Sequence, residues 1–127
     1  MGVFTKIPEK YQHFEVLDYT GHMMVPGLSD LHVHAPQYAY RGLGMDMELL
    51  EWLETYAFPE ESGYKEPAYA DKAYSMFVQD LKYSPTTRFC AFATIHTSAT
   101  LKLMALLETS GLKVDVGKVN MDRNSPD

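Results

Sequence analysis

The apolar positions of this chain alternate between the two-residue period of a strand and the three-to-four-residue period of a helix. In "YQHFEVLDYTGHMMVPG", aromatic and β-branched residues flank a Tyr19-Thr20-Gly21-His22 turn signal. This predicts short strands at Phe14–Leu17 and Met23–Val25, joined as a hairpin. "LSDLHVH" reads as a more buried strand from Leu28 to His34, and Pro36, Gly42 and Gly44 break up the loop that follows. Asp46 then offers an N-cap for a helix in which Leu49, Leu50, Leu53 and Tyr56 share one face. Phe58-Pro59 should stop that helix, leaving "EESGYKE" as a polar, solvent-facing loop.

Pro67 suits the first turn of a second helix, striped by Ala70, Ala73, Phe77 and Leu81 and ended at Ser84-Pro85. "TTRFCAFATIH" (Thr86 to His96) is apolar on both faces, the pattern of a parallel strand covered on both sides. A third helix is expected from Ser98 to Ser110, with Leu103, Leu106 and Leu107 inward and Gly111 as its C-terminal stop. "KVDVGKVNM" closes the series as another strand. Strands and helices in alternation predict an α/β fold of βαβαβ form, with a parallel sheet and right-handed crossovers.

Composition narrows the function classes. The 11 Lys and Arg residues are scattered among 17 acidic ones, giving a net charge of −6 and no basic patch for a nucleic acid. No apolar run approaches the roughly 20 residues that span a bilayer, and the start carries no apolar signal core. Cys90 is the single cysteine and sits in an apolar run, so no internal disulfide is possible and a reducing, cytoplasmic setting is expected.

His32 and His34 are the candidate chemistry. Side chains at i and i+2 of a strand point to one face, so two imidazoles can converge on one ion, while Val33 turns into the opposite layer. On spacing alone, the pattern is common and weak, and the pair reads more readily as ordinary polar residues on a half-exposed strand.

The longer string "MVPGLSDLHVH" decides between these readings by resemblance. It is similar to the P-G-x-x-D-x-H-x-H signature of the amidohydrolase superfamily, matched here by Pro26, Gly27, Asp30, His32 and His34. "HAPQY" (His34 to Tyr38), "LLEWLETYAFPEE", "TTRFCAFATIH" and "VGKVNMD" resemble, in the same order, the guanine deaminases of that superfamily.

The resemblance implies a partial (β/α)8 TIM barrel, of which residues 26–127 supply the first three βα units. Residues 1–25 would be the remnant of an N-terminal β-sandwich. It implies Zn²⁺ as the cofactor, or iron or another divalent metal, with His32 and His34 as two of its ligands. The remaining ligands and the proton shuttle would lie beyond this chain, so no catalytic residue is assigned within it. Guanine would be the substrate, and the parent a homodimer with neither a membrane nor a nucleic-acid partner.

His34, Gln37 and Trp52 are the substrate-side candidates. Gln37 would hydrogen-bond the purine through an amide that both donates and accepts, or else cap a turn. Trp52 would wall the purine pocket or anchor its own helix. His96 would stand on the same rim as His34, as an orienting group or as packing, while His13 and His22 are expected in solvent. A cytidine-deaminase type of site is excluded, because it needs P-C-x-x-C and the chain has one cysteine. Another heterocycle amidohydrolase, or a small non-catalytic α/β domain, are the alternatives. The chain departs from the family where Pro85 precedes Thr86-Thr87 in place of a glycine. The resemblance further implies that the chain is a piece of a longer protein, expected to be inactive alone.

Overall fold

The computed structural model describes residues 2–122. Three parallel strands, β1 (Leu28–His34), β2 (Thr86–Phe92) and β3 (Lys113–Gly117), lie side by side in the order β1-β2-β3. Between β1 and β2 the chain forms a 3-10 helix (Ala35–Tyr40) and helices α1 (Leu49–Trp52), α2 (Phe58–Gly63) and α3 (Pro67–Lys82). Helix α4 (Thr97–Glu108) connects β2 to β3. The mixed α/β order with a parallel sheet is the one the alternating periods predict.

The core has one side. Phe89, Ala91 and Ala93 turn towards α3 and α4, where they meet Ala70, Tyr74, Phe77, Val78, Ala99, Leu103 and Leu107. Val33, Val114 and Val116 add the matching faces of β1 and β3. Alternation along a strand therefore sends His32 and His34 of β1, with Cys90 and Phe92 of β2, to the face away from the helices. Two parts of the sequence reading are corrected here. β2 is covered on one face rather than two, and β1 is the exposed edge of the sheet, with Leu31 73% exposed. The cause is the same in both: among the described residues α3 and α4 form a single layer, and β1 has a strand partner on one edge only.

Element boundaries show where local rules were overridden. Pro67 occupies the first turn of α3, as its missing N–H allows, and Gly111 takes a φ of 81° just beyond α4. Pro59, by contrast, does not end its helix. Residues Leu53–Ala57 form a π turn in which the Phe58 N–H donates to the Leu53 carbonyl, and α2 continues through Pro59 to Gly63. A proline inside a helix clashes with the carbonyl four residues earlier and leaves it unbonded. A wider turn at that point relieves the clash, so the chain stays helical.

Most of "EESGYKE" is consequently helix, and Tyr64, expected in a polar loop, is a core residue 1% exposed. Its hydroxyl donates to the Pro36 carbonyl at 3.2 Å, tying the end of α2 to the 3-10 helix. Glu48, not Asp46, sits at the N-cap of α1.

The expected β-sandwich strands at Phe14–Leu17 and Met23–Val25 do not form. Among the described residues, the segment before β1 contains a 3-10 turn at Glu9–Tyr11 and otherwise irregular chain. Met23 is 86% exposed there. A strand needs a neighbour to receive its backbone bonds, and none of the described strands lies beside this segment. β2 ends at Phe92 rather than His96, α4 spans Thr97–Glu108, and β3 stops at Gly117.

Candidate metal centre

β1 carries Asp30, His32 and His34 on one face. The Asp30 carboxylate accepts a hydrogen bond from the His32 backbone N–H at 3.1 Å, which steadies the strand where its register with β2 is irregular. The Nε2 atoms of His32 and His34 stand 3.3 Å apart. Two nitrogens each about 2.0–2.1 Å from one ion, at a tetrahedral angle, are separated by about 3.3–3.4 Å. The pair therefore fits two positions of a single metal ion.

Phe92, paired with His34 across the β1–β2 ladder, lies under both rings, with centroids 4.8 Å from His32 and 4.9 Å from His34. Burial, and then the neighbouring His32, hold His34 below the ordinary imidazole value. That favours the neutral form a metal ligand must have.

Gln37 is half-buried on the 3-10 helix that follows β1 directly. The 3-10 helix packs against α2, where burial holds the Glu61 carboxyl above the ordinary carboxylate range, an effect that nearby Gln37 partly offsets. Trp52 is placed differently. Its indole N–H donates to the Leu43 carbonyl at 3.2 Å and its ring lies 5.6 Å from Tyr40. It thereby fastens the loop between the 3-10 helix and α1. Gly44 in that loop has φ +66°, and a Cβ there would come within 2.8 Å of Trp52 and 2.7 Å of Tyr56. A glycine is needed for the loop to pass so close to the indole.

His96 caps α4. Its N–H bonds to Thr94 Oγ1 at 3.1 Å, and its carbonyl accepts from the Thr100 N–H and hydroxyl. His13 lies against Phe14 and His22 against Tyr19, in the irregular segment before β1. The structure thus brings His32 and His34 together, places Gln37 on the short helix that follows β1, and sets Trp52 to a loop contact. Sequence reasoning missed Phe92. Phe92 was legible from β2's alternation, since it falls two residues past Cys90. Among the described residues, no group of three or more His, Cys, Asp or Glu could hold a metal. The His32–His34 pair by itself falls short of the donors that a closed metal site needs.

The sequence profile of the amidohydrolase family matches residues 23–127. The chain belongs to the amidohydrolase family. Its relatives include the guanine deaminase of Dictyostelium discoideum, 42% identical over 112 residues, and that of Homo sapiens, 40% identical over 111. These alignments cover 88% and 87% of this chain but 25% and 24% of the relatives. The chain therefore spans about a quarter of the length of the curated relatives it matches. Among solved structures, guanine deaminase from C. acetobutylicum, with guanine bound in its active site, superposes with a TM-score of 0.90 at 44% identity. That match covers 99% of this chain and 30% of that one. E. coli guanine deaminase superposes at 0.67 and 35% identity, covering 80% of this amidohydrolase chain and 23% of its own. Among the described residues, no helix is long and apolar enough to cross a membrane.

Proposed function

We propose that this amidohydrolase chain belongs to a zinc-dependent guanine deaminase, which hydrolyses guanine to xanthine and ammonia. The supporting observation is the His32–His34 pair, whose 3.3 Å Nε2 separation matches two ligands of one ion. The likeness to guanine deaminases over nearly nine-tenths of the chain points to the substrate. In this reading the parallel sheet is the start of a (β/α)8 barrel, built from residues 26–127, with residues 1–25 as a separate N-terminal element. The open sheet face becomes the barrel interior, and the remainder of the barrel closes over it. The parent would be a cytoplasmic homodimer.

His32 and His34 would hold the metal, and Phe92 keeps both rings in orientation. A bound divalent ion makes water a competent nucleophile near neutral pH. Gln37 contributes an amide to the edge of the purine, and the loop pinned by Trp52 forms a wall of the pocket. Further ligands and a proton-carrying group must come from outside the described residues, so the 127-residue chain alone is expected to be inactive.

The test is guanine turnover by the full-length protein, followed by xanthine absorbance and ammonia release, with and without chelation. Loss of turnover on chelation and in His32→Ala and His34→Ala, with no turnover by the 127-residue chain, is the expected result. Full turnover in His34→Ala, or xanthine formation by the short chain alone, would overturn the reading.

A further inference from the structure

The ladder between β1 and β2 is out of step over part of its length. Leu28 stands beside Thr86 but Ser29 beside Arg88, so Thr87 is an extra residue on β2. The step is undone further on, where β1 advances from Asp30 to Val33 while β2 advances only from Phe89 to Ala91. Leu31 and His32 thus share the place opposite Cys90, which makes a β-bulge on β1.

The bulge decides which way the histidines face. Carried forward without it, the register of Ser29 with Arg88 would set His32 beside Ala91 and His34 beside Ala93. Those two alanines are buried against the helices, so both imidazoles would turn into the helix layer. With the bulge, His34 lies beside Phe92 instead, and the two rings reach the open face with their Nε2 atoms 3.3 Å apart.

Two contacts hold this arrangement. Before the bulge, a Cβ on Gly27 would collide with the Thr87 side chain, so the extra residue of β2 fits only beside a glycine. At the bulge itself, the His32 N–H donates to the Asp30 carboxylate at 3.1 Å. Aspartate side chains make such turns with the backbone two residues on. A bulge disrupts the ladder, and this bond satisfies the N–H of the residue whose ring direction matters.

We propose that Asp30 is a positioning residue: its carboxylate oxygen holds the bulge at Leu31–His32, and the bulge aims His32 so that it and His34 can share one divalent cation. This rests on the reading of the pair as metal ligands. The role requires an acceptor oxygen at that reach, and the negative charge is incidental to it.

The experiment is a Co²⁺ titration of the metal-free, full-length protein, followed by the visible spectrum of the bound ion, with His34→Ala as the control for the metal reading. Asp30→Asn keeps the acceptor oxygen and should bind within about threefold of the unsubstituted protein, with the same spectrum. Asp30→Ala should weaken binding by about tenfold to a hundredfold, as loss of a group that orients a ligand does, and should alter the spectrum. Asp30→Ser, whose hydroxyl makes the same turn more weakly, should fall between them. Unfolding midpoints of the metal-free proteins are expected to agree.

Binding by Asp30→Asn as weak as by Asp30→Ala would overturn the proposal, since Asp30 would then act through its charge or as a ligand. Undiminished binding by Asp30→Ala beside a damaged His34→Ala would overturn it while leaving the histidines as ligands. Undiminished binding by His34→Ala would remove the metal reading and this proposal with it. If Asp30→Ala does not fold, the other two variants decide: equal binding by Asp30→Asn and Asp30→Ser, or weak binding by Asp30→Asn, overturns the proposal.

Discussion

β1 and β2 are neighbouring parallel strands of the same length, yet they do opposite jobs. β2 buries Phe89 and Ala91 beneath two helices, while β1 leaves its first five residues exposed and carries the histidine pair. One strand gives the sheet its grip on the helix layer; the other carries the candidate ligands on the far face. The lesson is a division by face: side chains pointing to the helices carry stability, and those pointing away can be polar because nothing apolar has to cover them. Stability and function should therefore be separable by mutation.

Phe89→Ala should break the comparison most severely, costing about 3–5 kcal/mol as a large-to-small change at a buried core site. A urea midpoint displaced by less than about 1 kcal/mol equivalent would show that the helix layer holds without β2. His34→Ala tests the other strand. Bound metal measured by atomic emission in the full-length protein should fall to background, while unfolding stability changes by less than about 1 kcal/mol. Loss of the fold instead would mean that β1 is structural after all.

The pH dependence sharpens the same point. Burial and His32 set the folded pKa of His34 below its ordinary 6.5, so in the window just under 6.5 the unfolded chain binds more protons than the folded one. Metal-free protein should be at full stability, as far as this group is concerned, above 6.5, and lose stability as pH falls through that window. His34→Asn should flatten the profile there, and an unchanged profile would remove His34 as its source. The smallest effect is expected at the ion pair between Lys102 of α4 and Asp71 of α3, 2.5 Å apart but both substantially exposed. Lys102→Ala should cost no more than about 1 kcal/mol, and less in high salt, by the same urea assay.

How much of this was legible beforehand depended on range. α3 was readable because Pro67, its apolar stripe and its end are local signals that tertiary packing did not oppose. The histidine pair was readable because strand alternation needs two residues only. The outward face of Phe92 follows from the same rule, but its contact with both imidazoles depends on the β1–β2 register, which lies between segments distant in sequence. The strands expected before β1 failed for a similar reason: residue type makes Phe14–Leu17 suitable for a sheet, and only a neighbouring strand makes it one. At Pro59 the local rule was sound and the chain found a way around it, through a wider turn that no periodicity announces.

That wider turn has a consequence for how the chain tolerates change in length. A π turn holds one residue more than the α-helical turn it replaces, and each residue of an α-helix advances about 100° around the axis. Deleting one residue from Leu53–Ala57 would let the helix close into regular α geometry and swing everything after it by about that angle. The face of α2 packed on the 3-10 helix would turn away from it, and Tyr64 would leave the core. The extra residue is a phase setting: it fixes the angle at which the second half of the helix meets the candidate site.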